Sequence, residues 1–92
     1  MTNDNNIVVY TKDNCIYCEK AKALLKGLDL KYKEMKYGKD FKTPEELYKL
    51  VGKQVRTMPQ IVIDEKLIGG YNQLVEYFVE KGKVNFKGEI NK

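Results

Sequence analysis

Two cysteines three residues apart, Cys15-Ile16-Tyr17-Cys18, stand where one kind of sequence pattern gives way to another. Ahead of them, Ile7-Val8-Val9-Tyr10 is an unbroken run of β-branched and aromatic residues. It is too short for a helix and reads as a buried strand. Behind them, Cys18, Ala21, Leu24, Leu25 and Leu28 recur at spacings of three and four, which is one face of a helix. The polar Thr11-Lys12-Asp13-Asn14 makes the turn between, with Asn14, or Asp13 as second choice, expected as the helix N-cap. Gly27 is expected to close the helix. The cysteine pair therefore opens a helix directly after a strand, the context in which a C-x-x-C carries redox chemistry.

The elements that follow are read the same way. Residues 30–36 alternate, with Leu30, Tyr32, Glu34 and Lys36 on one face, and predict a strand. Thr43-Pro44-Glu45-Glu46 predicts a helix start: Thr43 caps, Pro44 fits the first helical position and Glu46 completes a capping box. Leu47, Leu50 and Val51 supply its buried stripe and Gly52 ends it. Pro59 opens a strand over Gln60-Ile61-Val62-Ile63, since proline is tolerated at a strand's first residue. Asp64-Glu65 turns the chain back into Lys66-Leu67-Ile68 as a hairpin. Gly69-Gly70 breaks that strand, and Leu74, Val75, Phe78 and Val79 form a last helical face ending near Gly82. The order strand-helix-strand-helix-strand-strand-helix predicts an α/β fold of thioredoxin-like arrangement, a four-stranded mixed sheet flanked by three helices.

At 92 residues the chain makes one domain, 1–92, with residues 1–6 as a mobile tail and 83–92 as a polar C-terminal extension. The tail has no basic segment leading into an apolar one, so it is not read as a secretory signal, and a cytoplasmic location is expected. No apolar run approaches the ~20 residues of a membrane span. The net charge of +4 comes from basic residues spread from Lys12 to Lys92 with no run of three. That spread reads as a solvated surface and not a nucleic-acid groove, although a mild positive field favours an anionic small substrate. A monomer is expected.

The chain has two cysteines and no histidine. Histidine acid–base catalysis is excluded, and a four-ligand zinc site would be half built, so no metal is expected. A thiol is a poor nucleophile until it ionises, and an ordinary cysteine titrates near ~8.5. Cys15 lies where the helix N–H groups lack partners. Those donors and the helix dipole favour an anion by about 0.3–1 kcal/mol, up to ~2 when partly buried, or around one pKa unit. Lys12 adds to this. Cys15 is accordingly assigned as the attacking thiolate. Cys18, one turn inside on the apolar face, is assigned as the thiol that resolves the mixed disulfide.

Cys15-Ile16-Tyr17-Cys18, Thr57-Met58-Pro59 and Ile68-Gly69-Gly70 stand in the order and at about the spacing of glutaredoxins. Over residues 7–80 the chain resembles that family, with the stretch from Thr57 to Phe78 most similar to phage-type members. The resemblance implies a glutathione-dependent thiol–disulfide oxidoreductase acting on protein disulfides and glutathione mixed disulfides. Glutathione would be a co-substrate and no cofactor would be tightly bound. It implies that Lys12 holds a glutathione carboxylate, that Tyr17 packs beside the tripeptide, and that Arg56 is a basic position before the Thr-x-Pro element. Thr57 and Met58 would pair with glutathione through their backbone, Pro59 would be cis, and Gly70, Tyr71, Asn72 and Gln73 would bind the γ-glutamyl end. Ribonucleotide reductase is the protein partner the phage-type members suggest.

Two departures stand out. Ile16 replaces the proline common in the motif, and Asn72 and Gln73 stand where many members have an acid able to pair with the glutathione ammonium. A hydrogen bond from a neutral side chain is weaker than a charge-assisted one. Two alternatives stay open: a thioredoxin-like donor recharged by a reductase protein, and a carrier that holds an iron–sulfur cluster between two chains with glutathione.

Overall fold

The computed structural model describes residues 6–90. The expected N-terminal tail lies outside the described residues except for Asn6. Its N–H donates to Asp64 Oδ1 at 3.0 Å and its carbonyl accepts the Asp64 N–H at 2.9 Å. Seven elements follow: β1 (Ile7–Thr11), α1 (Ile16–Gly27), β2 (Lys33–Lys36), α2 (Pro44–Val51), β3 (Gln60–Ile63), β4 (Lys66–Gly69) and α3 (Tyr71–Glu80). The strands form one mixed sheet in the order β2-β1-β3-β4, with β1 parallel to β2 and antiparallel to β3. The expected class, a four-stranded mixed sheet with three helices, is the one observed.

The continuous apolar run of β1 is explained by a sheet covered on both faces. Ile7 and Val9 of β1 and Ile61 and Ile63 of β3 point into one core with Ala21, Leu25, Leu74 and Phe78 of α1 and α3. Tyr10 points the other way, into a second core with Phe41 and with Leu47 and Val51 of α2, against which Val8 and Val62 pack. Successive residues alternate between the faces, one covered by α1 and α3 and the other by α2.

Several element ends differ from expectation. Residues 30–36 give only a four-residue strand. The Leu30 N–H donates to the Leu25 carbonyl at 3.0 Å, so its backbone is committed to the end of α1, while Leu30 and Tyr32 pack on the first core. Gly27 does not close α1. The cap is Leu28 and the left-handed residue is Asp29, at φ 61°. What Gly27 provides is room: a β-carbon there would stand 2.5 Å from Ile90 Cδ1. In α2, Leu47 and Val51 are buried but Leu50 is 45% exposed, because an eight-residue helix seats only its 47/51 edge. Thr43 Oγ1 accepts the Glu46 N–H at 3.1 Å as expected, but Glu46 Oε1 accepts the Lys42 N–H, one residue ahead of the cap. Gly69 remains in β4, paired with Ile61 across a bulge that follows the Val62–Leu67 pair.

Of the expected polar extension, 83–92, residues 91–92 lie outside the described residues, and residues 83–90 fold back onto the domain. Val84 is 1% exposed within the first core and bridges to Ile90. The loop between them is held by Asn85, whose Oδ1 accepts the N–H groups of Lys87 and Glu89 at 2.9 and 3.0 Å. A single buried valine in a polar stretch has no period for a sequence reading to detect.

Candidate active site

The chain leaves β1 through Lys12 and Asp13, turns left-handed at Asn14 (φ 55°) and enters α1 at Cys15. Asn14 is therefore not the cap. Cys15 is, and its Sγ accepts the Cys18 N–H at 3.1 Å. Sulfur thus occupies the position in which helix N–H groups stabilise an anion. Cys15 and Cys18 are joined as a disulfide, with Cα atoms 5.2 Å apart. Cys15 is partly exposed, whereas Cys18 is fully buried. An incoming thiol or disulfide meets Cys15 first.

The residues before β3 form the facing wall. The Met58–Pro59 peptide is cis, Pro59 is buried, and the Met58 carbonyl oxygen lies 3.7 Å from Cys15 Sγ. Gln60, only 5% exposed, donates through Nε2 to the Thr57 carbonyl at 2.8 Å and to Thr57 Oγ1 at 3.3 Å. It pins the turn that presents Thr57 and Met58. Sequence reasoning missed this positioning role; the available signal was a lone polar residue opening an apolar strand.

Two cavities adjoin this wall and share Val55, Arg56 and Thr57. One, of about 490 Å³, also has Lys12, Met58, Tyr37 and Tyr48 in its lining. The other, of about 330 Å³, also has Gln60, Gly69, Gly70 and Gln73. Of the residues singled out in the sequence, Lys12, Arg56, Thr57, Met58, Gly70 and Gln73 are gathered here. Tyr17 and Tyr71 line neither cavity but pair with each other, ring centroids 5.9 Å apart, with the Lys20 ammonium 5.1 Å from the Tyr17 centroid. Asn72 is exposed and lines neither. Gln73 is partly spoken for: its Oε1 accepts the Gly70 N–H at 3.0 Å, capping α3. Among the described residues, Lys12 and Arg56 have no carboxylate partner, and there is no group of three metal-ligating side chains. No helix among them is long and apolar enough to cross a membrane.

A partly exposed sulfur capping a helix, a buried second sulfur one turn on and a cis-proline loop alongside define a thiol–disulfide oxidoreductase on a thioredoxin-like frame. The family model for glutaredoxin matches residues 7–68, and the chain belongs to the glutaredoxin family. It is 39% identical over 69 residues to Glutaredoxin 3 of Escherichia coli K12, covering 75% of this chain and 81% of that protein. The solution structure of reduced E. coli glutaredoxin superposes with a TM-score of 0.70 at 32% identity, covering 82% of this chain and 94% of the other. A buckwheat glutaredoxin–glutathione complex superposes with a TM-score of 0.68 at 26% identity, covering 86% and 73%.

Proposed function

We propose that this enzyme uses glutathione as its electron source and reduces glutathione mixed disulfides and protein disulfides. The observation that carries the reading is the pairing of an accessible, helix-capping Cys15 with a fully buried Cys18, near two cations that have no carboxylate partner among the described residues. With a glutathione mixed disulfide, the Cys15 thiolate attacks the glutathione sulfur and the target leaves as a thiolate. A second glutathione thiolate then attacks that sulfur, releasing oxidised glutathione and restoring Cys15. With a protein disulfide, Cys15 joins one target sulfur, Cys18 attacks Cys15 Sγ, and the target departs with two electrons. The product is the Cys15–Cys18 disulfide, which two glutathione molecules reduce.

In this reading Lys12 and Arg56 meet the tripeptide's carboxylates and Tyr17 packs on it. The Thr57 and Met58 backbone, just ahead of Pro59, pairs with it as an added strand. Gly70 lets the backbone approach the γ-glutamyl end, where Tyr71, Asn72 and Gln73 stand. The protein works as a monomer in the reducing cytoplasm, and ribonucleotide reductase is the partner its resemblance to phage-type members favours. One observation favours a second reading, a thioredoxin-like donor recharged by a reductase protein: Gln73 is engaged in capping and brings no negative charge to that end.

The test is steady-state reduction of a glutathione mixed disulfide coupled to glutathione reductase and NADPH, with Cys15→Ser and Cys18→Ser alongside. Turnover should vanish in Cys15→Ser and persist in Cys18→Ser. No turnover by the natural protein, with its thiols reactive, would discard glutathione dependence and move the assignment to the reductase-recharged donor or the cluster carrier.

A further inference from the structure

The larger of the two cavities, separated from Cys15 by Met58, has walls that the glutathione reading leaves unused. Tyr37, Tyr48 and Val55 join Met58 there, with Lys12 and Arg56 exposed at the same opening. Tyr37 is held edge-on by Phe41, ring centroids 5.4 Å apart, yet remains 41% exposed. Tyr48, Val55 and Met58 are each only partly buried. Glutathione ends in glycine, which has a carboxylate for Lys12 but no side chain for two tyrosines, a valine and a methionine. The part of this cavity, about 490 Å³ in all, that Tyr37, Tyr48 and Val55 line is therefore left without a ligand group to fill it.

We propose that this cavity is a specificity pocket for protein substrates. It receives a large apolar side chain one or two residues from the target cysteine, on an extended segment that also carries a carboxylate for Lys12 and Arg56. The proposal rests on the reading that protein disulfides are substrates, and not on glutathione dependence.

Three features fix the occupant. Met58 belongs both to the cavity wall and to the sulfur site, its carbonyl 3.7 Å from Cys15 Sγ. An extended chain advances about 3.3–3.6 Å per residue, so a neighbour of the captured cysteine reaches the opening. The cations at the opening have no ion-pair partner among the described residues, and the chain as a whole carries +4, so an acidic segment is complementary and a basic one is not. The covalent step is unchanged: Cys15 Sγ bonds to the target sulfur as the target's own partner sulfur leaves and takes a proton. Cys18 then displaces the target, and two electrons have passed to it.

The test is single-turnover reduction by the full-length protein, pre-reduced and freed of reductant, of synthetic peptide disulfides. They differ in one neighbour of the cysteine (Phe, Leu or Gly) and in one flanking charge (Asp or Lys). Phe and Leu peptides should react about tenfold faster than Gly peptides, the scale expected for burying such a side chain. Asp should outrun Lys, with the gap closing at high salt. Tyr48→Ala should remove most of the Phe preference while leaving the rate with a small disulfide, hydroxyethyl disulfide, unchanged. Equal rates for Phe and Gly peptides with the natural protein would overturn the proposal, whatever the variant does, and so would a full Phe preference in Tyr48→Ala. Because no glutathione is present, a failed mixed-disulfide assay and a failed peptide preference are separate results.

Discussion

Gly88 sits at φ +81°, and a β-carbon on it would stand 2.9 Å from the Tyr71 hydroxyl. Tyr71 in turn pairs with Tyr17 of the cysteine motif, so a residue far along the chain limits where a ring beside the active site can go. Gly88→Ala should cost about 1–2 kcal/mol from left-handed strain, with the displaced tyrosine adding to it, and urea denaturation would measure the loss. Cys15 and Cys18 were legible because spacing, flanking patterns and the absence of other ligands all agreed. Asn14 was misread as a cap because asparagine suits both a cap and a left-handed turn; here it takes the turn and the sulfur itself caps. Gln60 was overlooked because its two bonds run to a loop whose shape no local pattern encodes.

Elements with chemical punctuation were read well. Thr43, Pro44 and Gly52 bracket α2 as expected, since a cap, a fixed φ and a left-handed stop are local properties. Ends set by partners were not: β2 runs only over the four residues paired with Val8–Thr11 of β1, and β4 keeps Gly69 because Ile61 pairs with it. The β3–β4 turn tests the same distinction. Asp64 and Glu65 have φ of 52° and 69°, both central positions of a type I′ turn, in which glycine is favoured second. Glu65→Gly should stabilise the protein by about 1 kcal/mol, while Asp64 must stay because its carboxylate accepts the Asn6 N–H. A thermal melt should rise by about 4–8 °C.

Across the whole molecule, the order of strands and helices was enough to predict the fold, because each face of the sheet needs its own cover. What ties those layers together was less visible. The Lys22 ammonium bridges Glu19 and Glu34 at 3.0 and 3.1 Å, and Glu34 also accepts the hydroxyl of buried Thr11 at 2.7 Å, linking α1, β2 and β1. The Thr11 hydroxyl, and then Lys22, outweigh partial burial and hold the Glu34 carboxyl below its ordinary range. A carboxylate with a depressed folded pKa stabilises above its unfolded value, about 4.3, and that contribution fades as pH falls through the folded one. Thr11→Val should therefore lower stability at neutral pH, with the gap to the natural protein shrinking below about pH 4 in denaturant titrations at each pH. A gap constant from neutral to strongly acid pH would show that the hydroxyl does not act through this carboxylate.

Val84 belongs to the same core cluster as Ile7. During synthesis, a nascent chain that has emerged only as far as α3 still has a hole where that valine belongs. β1, one of the two inner strands of the sheet, then waits at the crowded exit of the ribosome until the residues beyond α3 have followed it out. Ile7, on β1, and the core around it stay dependent on a residue that lies beyond α3.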